Sequence, residues 1–549
     1  MIEIFPLKAQ YKLSENVVLR INSDEKIIKA NIAIFYLHKQ LKLINIEETF
    51  RTKDIEIDTS LYKQGGYGVN LVAETFKNKY EKYTSFDICR NINDSLRYGF
   101  VSDFTDKDLN NGAMDWLRKC HINIVQFYDW SDRHDNLTCD DNYYVDMMGK
   151  HISRNVVISK NKEALSYGMR GIAYGAVYAA SKQFFLKHKD WAFYYPDNKP
   201  ITFIDVFYLM NIEKGSPWCE HLINQYYLAI KKMGFAGIHM DTYGFPKTAI
   251  SRLNGRNYSV NLDNEFPTLI NNTKNVLESK NTNPLLIFNN VGNWPVYSTA
   301  NSNVDAVYVE VWDPYDKYHH IVSIIKDAKQ TLKRNKPVII AAYLKPFRLE
   351  NIDRGMNAAK LLMAGIVSNG AYHLLIGENK AVLTQGYYSD YTKLDDSSAQ
   401  DIKSYYDFMI RYFDLFYSKS LKDVSQTHFS GDNREYMSSC KKISVNAEGN
   451  KIWAIIKENK KHKVISLINL CGNKDDSWNS GKNHPVEQHN ISFSVAIDNC
   501  IKGVFIASPD YDNQIMKEIK HYIIDTNTGR YVKFIVPRID YWTIVDIEL

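Results

Sequence analysis

The stretch GFAGIHMDTYG, Gly234 to Gly244, decides how the rest of the chain is read. A small apolar run from Ala236 to Met240 ends in a carboxylate, Asp241, and an aromatic and a glycine follow at once. A buried strand that carries one acid at its C-terminal end and then turns is how an α/β barrel presents a chemical group. Further on, VDAVYVEVWDPYD (304–316) repeats the plan, with Glu310 at the end of the apolar run and Trp312 just after it.

Around these two stretches, strands and amphipathic helices alternate from about residue 93. The strand candidates are INIVQFYDW, IAYGAVYAA, VFYLMNI, GIHMD, PLLIFNN, AVYVEVW, PVIIAAYL and AYHLLIG. Helical runs separate them: DKDLNNGAMDWLRKCH, residues 159–168, WCEHLINQYYLAIKKM, YHHIVSIIKDAKQTLKRN and RGMNAAKLLMAGIVSNG. Eight strands in about 260 residues is the count and span of a (β/α)8 barrel. A doubly wound sheet ranks lower, because polar strand endings recur and no Gly-rich phosphate loop is present. A strongly amphipathic segment over 395–418 would close the barrel.

The first ninety or so residues have partial period-2 patterns and a Gly-Gly turn in LYKQGGYGVNLVAE, the texture of a small β-sandwich. After about 425 the β texture returns, with strands separated by Gly, Asn and Asp clusters. The expected architecture is multidomain: a central (β/α)8 TIM barrel over 93–422, flanked by an immunoglobulin-like β-sandwich over 1–92 and a C-terminal β-sandwich over 423–549.

Composition narrows the function. A net charge of +5 is small beside 68 basic and 63 acidic residues, and there is no long basic run or metal-finger spacing, so nucleic acid is not an expected partner. No run approaches the ~18 apolar residues of a membrane helix, and MIEIFPLKAQYKL lacks the basic-then-apolar texture of a signal peptide. Membrane is therefore not an expected partner; the chain is either cytosolic or has had a leader removed. The seven cysteines are scattered and read mostly as small buried residues, with one disulfide possible. Aromatics stand out at 13%, with 38 tyrosines. They fit either β-rich domains or flat rings that stack on pyranose faces.

Counting INIVQFYDW as the first strand makes GIHMD the fourth and AVYVEVW the sixth, so Asp241 and Glu310 are expected to face each other across the barrel mouth. Two carboxyls about 5–5.5 Å apart serve retaining glycoside hydrolysis, one as nucleophile and one as proton donor. The donor must stay protonated near neutral pH, and Glu310, flanked by Val309, Val311 and Trp312, suits that better than Asp241. Asp129 ends the first strand between Tyr128 and Trp130, with Arg133 and His134 after it. It reads either as an anchor for sugar hydroxyls or as half of an Asp129–Arg133 pair. Asn289 and Asn290, Glu378 and Glu213 end or follow other strands and are weaker candidates. His239 would point into the helix layer or the barrel interior, and Lys345 has no evident partner.

QFYDWSDRH (126–134), IAYGAVYAA (172–180), GFAGIHMDTYG (234–244), VYVEVW (307–312) and YHLLIGENKAVLTQGYYSDY (372–391) together resemble the signature blocks of glycoside hydrolase family 66. LKAQYKLSENVVLRI, SPDYDN and VPRIDYWTIV resemble its flanking β domains, so the likeness spans nearly the whole chain. The family comprises endo-dextranases and cycloisomaltooligosaccharide glucanotransferases. The resemblance implies double displacement, with the nucleophile at Asp241, the acid/base at Glu310 and an important aspartate at Asp129.

It further implies an α-glucan polysaccharide or isomaltooligosaccharide as substrate and an extracellular, cell-surface or periplasmic location; the chemistry itself requires no cofactor, and no residue is assigned to a metal. The expected substrate contacts are Asp129, Tyr128, Trp130, His134, Tyr243, Trp312, Asn290 and Glu378, in a monomer. The transferases of the family carry an additional carbohydrate-binding module inserted in the catalytic region. No spare hundred residues interrupt the barrel here, so hydrolysis of internal α-1,6 bonds is the expectation. The alternatives are the cyclising transferase, a non-catalytic glucan-binding protein and a hydrolase of a related α-glucan. Thr242-Tyr243-Gly244 departs from the Gln-Leu-Gly of relatives, next to the proposed nucleophile.

Overall fold

The computed structural model describes residues 2–109, 112–498, 500–527 and 529–549. Met1 at the head of the first β segment, Asn110 and Asn111 within the expected helix DKDLNNGAMDWLRKCH, and Asn499 and Thr528 in the last β region lie outside the described residues.

Eight parallel strands form the central sheet: β1 (Tyr98–Val101), β2 (Ile124–Phe127), β3 (Arg170–Ala176), β4 (Gly237–Asp241), β5 (Leu285–Val291), β6 (Ala306–Glu310), β7 (Val338–Ala341) and β8 (Tyr372–His373). Each pairs with its neighbours in chain order, and a parallel bridge from Phe100 to Gly377 brings the last segment back to the first. Helices fill the crossovers, among them Arg154–Ser166, Pro217–Met233, Leu262–Ser279, Tyr318–Thr331 and Ile352–Ser368. This is the near-closed parallel barrel expected from the alternating pattern.

Local chemistry sets the entry to β4. Ser216 caps the helix Pro217–Met233 by accepting from the Cys219 N–H, with proline at the first turn where no N–H is needed. Gly234, at φ +74°, ends the helix in the left-handed region. Trp218, Leu222, Tyr226 and Ala229 are buried on one side of this helix. The turn therefore delivers β4, and Asp241 with it, against a packed helix.

Two expectations about the barrel strands change. The first strand is Tyr98–Val101, with INIVQFYDW second; YGFV is short and is buried without alternation, so it carries no period-2 signal. VFYLMNI is not a barrel strand: Phe207–Leu209 pairs antiparallel with Ala179–Ala180 and Thr202–Phe203 in a small sheet after β3. The two differences cancel, so GIHMD and AVYVEVW remain fourth and sixth.

Before the barrel, the strands from Ile2–Pro6 to Lys79–Cys89 form one seven-stranded sheet, in which the long Val17–Tyr36 pairs with four partners. The expected Gly-Gly turn is instead the start of a strand, Gly65–Thr75. A Cβ on Gly66 would lie 1.8 Å from the Ile410 carbonyl oxygen, so this glycine permits close packing of the sheet on the helix Asp396–Arg411. After the barrel, a seven-stranded and a four-stranded sheet cover a separate apolar cluster that includes Ile465, Phe493, Val532 and Val545. The expected closing helix is present as Asp396–Arg411 and Phe413–Tyr417. All seven cysteines are free.

Candidate active site

Asp241 and Glu310 end β4 and β6, and both are half-buried at the C-terminal mouth of the barrel. They do not face each other across it. Strand β5 runs between theirs, and its Asn289 joins them: one amide nitrogen donates to Asp241 Oδ1 at 2.7 Å and to Glu310 Oε2 at 3.0 Å. By geometry those two oxygens are less than about 6 Å apart, which covers the carboxyl spacing of retaining sites.

Each carboxyl has a phenol of its own. Tyr174 O–H donates to Asp241 Oδ2 at 2.6 Å, and Tyr343 O–H donates to Glu310 Oε1 at 2.5 Å. Tyr388 extends the network, its hydroxyl lying 3.1 Å from that of Tyr343 and 2.8 Å from that of Tyr308. These residues project inward by strand parity: Tyr174 on β3, Asn289 on β5 and Tyr308 on β6 stand two positions from, or in register with, other inward residues. Tyr174, Tyr343 and Tyr388 were not among the expected site residues, and Asn289 was only a weaker candidate. Counting by twos from Asp241 and Glu310 reaches His239 and Tyr308, and only the strand register, Tyr174 beside His239 and Asn289 beside Tyr308, points on to Tyr174 and Asn289.

Burial raises both carboxyls above the usual carboxylate range. For Asp241 the charge of Glu310 adds to it, while the hydrogen bonds from Tyr174 and Asn289 oppose it; for Glu310 those from Tyr343, Asn289 and Trp312 oppose it. The two titrate as one unit, which keeps a proton where isolated carboxyls have lost theirs. Among the described residues no hydrogen-bond partner of either carboxyl is cationic, so no ion pair locks them in the ionised form.

Asp129 lies beside this pair, 8% exposed, at φ +46° just past β2. It makes no hydrogen bond or ion pair with a described residue. Burial pushes its pKa up to about 7, offset in part by Lys150. The alternative Asp129–Arg133 pair does not form: Arg133 contacts Asp132 at 3.0 Å and Asp135 at 3.3 Å instead. Tyr128 stacks on Tyr388 at 4.5 Å, and His134 packs against Tyr174 and Phe207, with burial holding it neutral at a pKa of about 4. Trp312 is 44% exposed, edge-on to Tyr343, and offers a free ring surface at the mouth.

Other expected contacts are placed elsewhere. Trp130 is fully buried, donates to the Tyr174 carbonyl at 3.1 Å and packs on Phe235, so it has no face for a ligand. The turn at Asp129 breaks the strand's alternation and sends Trp130 into the core. Asn290 points outward, donating to the Tyr308 carbonyl at 2.8 Å and accepting from Thr299 at 2.6 Å; its neighbour Asn289 is the one in the site. Glu378 is fully buried and accepts from the N–H groups of Ser102 and Asp103 at 2.7 and 2.8 Å and from Lys160, a structural clamp on the β1 exit.

Tyr243 is half-buried with Phe203 stacked on its ring at 4.0 Å, and Thr242 is buried with its hydroxyl on the Asn289 carbonyl. Glu213 accepts from Asn211 and Tyr258 in the outer loops. His239 lies in the barrel interior, 2.8 Å from the Tyr98 hydroxyl, with burial lowering its pKa to about 3. The Lys345 backbone N–H donates to Asn479.

A pair of carboxyls at the C-terminal mouth of a parallel barrel, set among tyrosines, defines a glycosidase-type enzyme. The chain belongs to the family described as Glycosyl hydrolase family 66, whose sequence model matches residues 7–546. Two curated relatives, both cycloisomaltooligosaccharide glucanotransferases of Niallia circulans, are 21% and 22% identical. Those alignments cover 99% and 89% of this chain and 71% and 65% of the relatives. A crystal structure of a Paenibacillus sp. cycloisomaltooligosaccharide glucanotransferase complexed with cycloisomaltoheptaose superposes with a TM-score of 0.88 at 19% identity, covering all of both chains. A maltogenic α-amylase, AmyB of Thermotoga neapolitana, shares the fold more loosely, with a TM-score of 0.54 at 9% identity over 83% of this chain and 99% of its own.

Proposed function

We propose that this protein is a retaining enzyme of α-1,6-linked glucans that works through a covalent glucosyl–Asp241 intermediate. The observation that carries this reading is the single amide of Asn289 on both carboxyls, 2.7 Å from one and 3.0 Å from the other. A gap that small fits an anomeric carbon next to a carboxylate and leaves no room for a water to attack from the far side, as inversion requires.

In the first step an Asp241 oxygen bonds to the anomeric carbon. The bond to the leaving 6-oxygen breaks, and Glu310 gives that oxygen its proton. In the second step an acceptor hydroxyl loses its proton to Glu310 and bonds to the anomeric carbon, and Asp241 is freed with the configuration retained. Tyr174 and Asn289 hold Asp241 in place, Trp312 and Tyr128 offer ring faces, and Asp129, with no partner of its own, is the hydroxyl anchor.

The acceptor decides the product. The relatives and the structural neighbour are named as cycloisomaltooligosaccharide glucanotransferases, which favours a sugar hydroxyl at the far end of the same chain, closing a ring, over the hydrolysis expected from sequence. Hydrolysis of dextran-type chains is the second reading, and one observation favours it. The alignment to one Niallia relative is 708 positions long for a chain of 549 residues, so that relative carries extra residues within the matched span.

A polymeric glucan, too large to enter a cell intact, favours an extracellular or cell-surface location, and a monomer is part of the same proposal. Incubation with dextran and linear isomaltooligosaccharides, read by mass spectrometry and NMR, tests the proposal. Cyclic products one water lighter than linear chains of equal length are expected, and linear products alone would favour hydrolysis. A first-formed β-anomer would refute double displacement.

A further inference from the structure

A cavity of about 270 Å³ lies at the end of the barrel away from Asp241, where Lys336 and Pro337 lead into β7 and Asn369 and Gly370 lead into β8. Five lysines line it against two aspartates, Asp94 and Asp423. Three of the lysines are engaged: Lys326 pairs with Asp423 at 2.8 Å, Lys419 is 4.0 Å from Asp94, and Lys336 donates to the carbonyls of Ala300 and Ser302 at 2.9 and 2.7 Å.

The other two, Lys329 and Lys457, come from separate parts of the chain. Lys457 belongs to the C-terminal strand Ile452–Glu458, is 7% exposed, and donates to the Phe416 carbonyl at 2.8 Å. Lys329 belongs to the helix Tyr318–Thr331, stands on the solvent side, and donates to the Asn369 carbonyl at 2.7 Å. Neither forms an ion pair with a described residue.

Their nitrogens nevertheless converge. A Cβ on Gly370 would lie 2.7 Å from Lys329 Nζ and 3.5 Å from Lys457 Nζ. Two ammonium groups brought together in a partly buried cavity repel each other, and each has N–H groups beyond its single carbonyl acceptor. Burial, with the charge of Lys329 second, pushes Lys457 down to about 7, against the charge of Asp423 in the same cavity. An anion between them would offset both costs.

We propose that this cavity binds a small tetrahedral oxyanion of the phosphate or phosphate-monoester class between Lys329 and Lys457, bridging the base of the barrel and the C-terminal sheet. Convergent ammonium groups act as point charges with donors in several directions, which suits an anion whose oxygens point several ways. A planar carboxylate is better matched by a guanidinium fork, and no arginine lines this cavity. The site is remote from the carboxyl pair, so its test is independent of the proposed reaction.

The full chain is melted with increasing inorganic phosphate, with glucose 6-phosphate as a monoester, and with potassium chloride at matched ionic strength; affinities come from calorimetry. A saturable rise in Tm with phosphate or the monoester, and none with chloride, is expected, since a ligand about a hundredfold above its Kd shifts the folding equilibrium about a hundredfold. The tighter of the two ligands identifies the source. Lys329→Gln, at an exposed position that folding tolerates, should weaken binding by about tenfold or more, and Lys457→Met should remove it, while Lys77→Gln, in the turn between the strands Gly65–Thr75 and Lys79–Cys89, leaves it unchanged. An equal response to chloride, no response at all, or unaltered affinity in Lys329→Gln would overturn the proposal.

Discussion

Two glutamates at the same end of this barrel have opposite fates. Glu310 ends β6 and Glu378 follows β8, and neither carboxyl is freely solvated. Glu378 is saturated: two backbone N–H groups and the Lys160 ammonium oppose the upward push of burial on its pKa and occupy its oxygens, so none is left to face a substrate. Glu310 has only a phenol, a shared amide and an indole around it, with a second carboxyl within about 6 Å. It is free to take and give a proton. Burial alone therefore does not mark a chemical acid. The kind of partner does.

The largest effects test the carboxyl pair. Asp241→Asn and Glu310→Gln should each lower turnover of isomalto-linked substrate by about 10³-fold or more while circular dichroism stays native. Near wild-type activity in either variant would end the assignment. Glu378→Gln should do the reverse: it strands a buried ammonium and costs about 3–5 kcal/mol of stability, measured by denaturant unfolding, with specific activity of the folded fraction kept. A Glu378 variant that is stable but inactive would erase the distinction between the two glutamates.

Smaller effects sharpen the comparison. The Tyr343 hydroxyl favours the ionised form of Glu310, so Tyr343→Phe should move the alkaline limb of the kcat/KM profile to higher pH and cost about tenfold in rate. Tyr174→Phe raises Asp241 instead and should move the acid limb upward. Stability carries the same signature. The folded pKa of Asp241 is raised, so the folded protein binds that proton more tightly than the unfolded chain. The wild type therefore holds the proton's contribution fully below the unfolded carboxyl value of about 4 and loses it as pH rises through the folded value. Asp241→Asn does not titrate and should gain stability relative to wild type over that range in thermal melts. Smallest of all, Trp312→Ala should raise KM by about fivefold through a lost ring face, whereas Trp130→Phe should leave KM unchanged and show only in stability.

The fold was largely legible because helix and strand periods are local properties. The run Ala236–Met240 between a glycine-ended helix and a turn is a strand whatever surrounds it, and its last residue is an acid. Errors came where local signals fail: YGFV is too short and too uniformly apolar to show alternation, and VFYLMNI has strand chemistry but sits in a loop sheet. Among the site residues, the choice of Asn290 over Asn289 and of Trp130 alongside Asp129 were errors of parity and of one left-handed residue.

The sequence by itself determined that Asp241 and Glu310 end two buried strands of an alternating β/α chain, because apolar runs and their polar stops are written residue by residue. Only the tertiary structure decided that the two share one amide on the strand between them, that Trp312 is open and Trp130 closed, and that Lys329 and Lys457 meet beneath the barrel. Those are distances between segments far apart in the chain, and they are fixed by how the strands close and the domains pack, which no local period records.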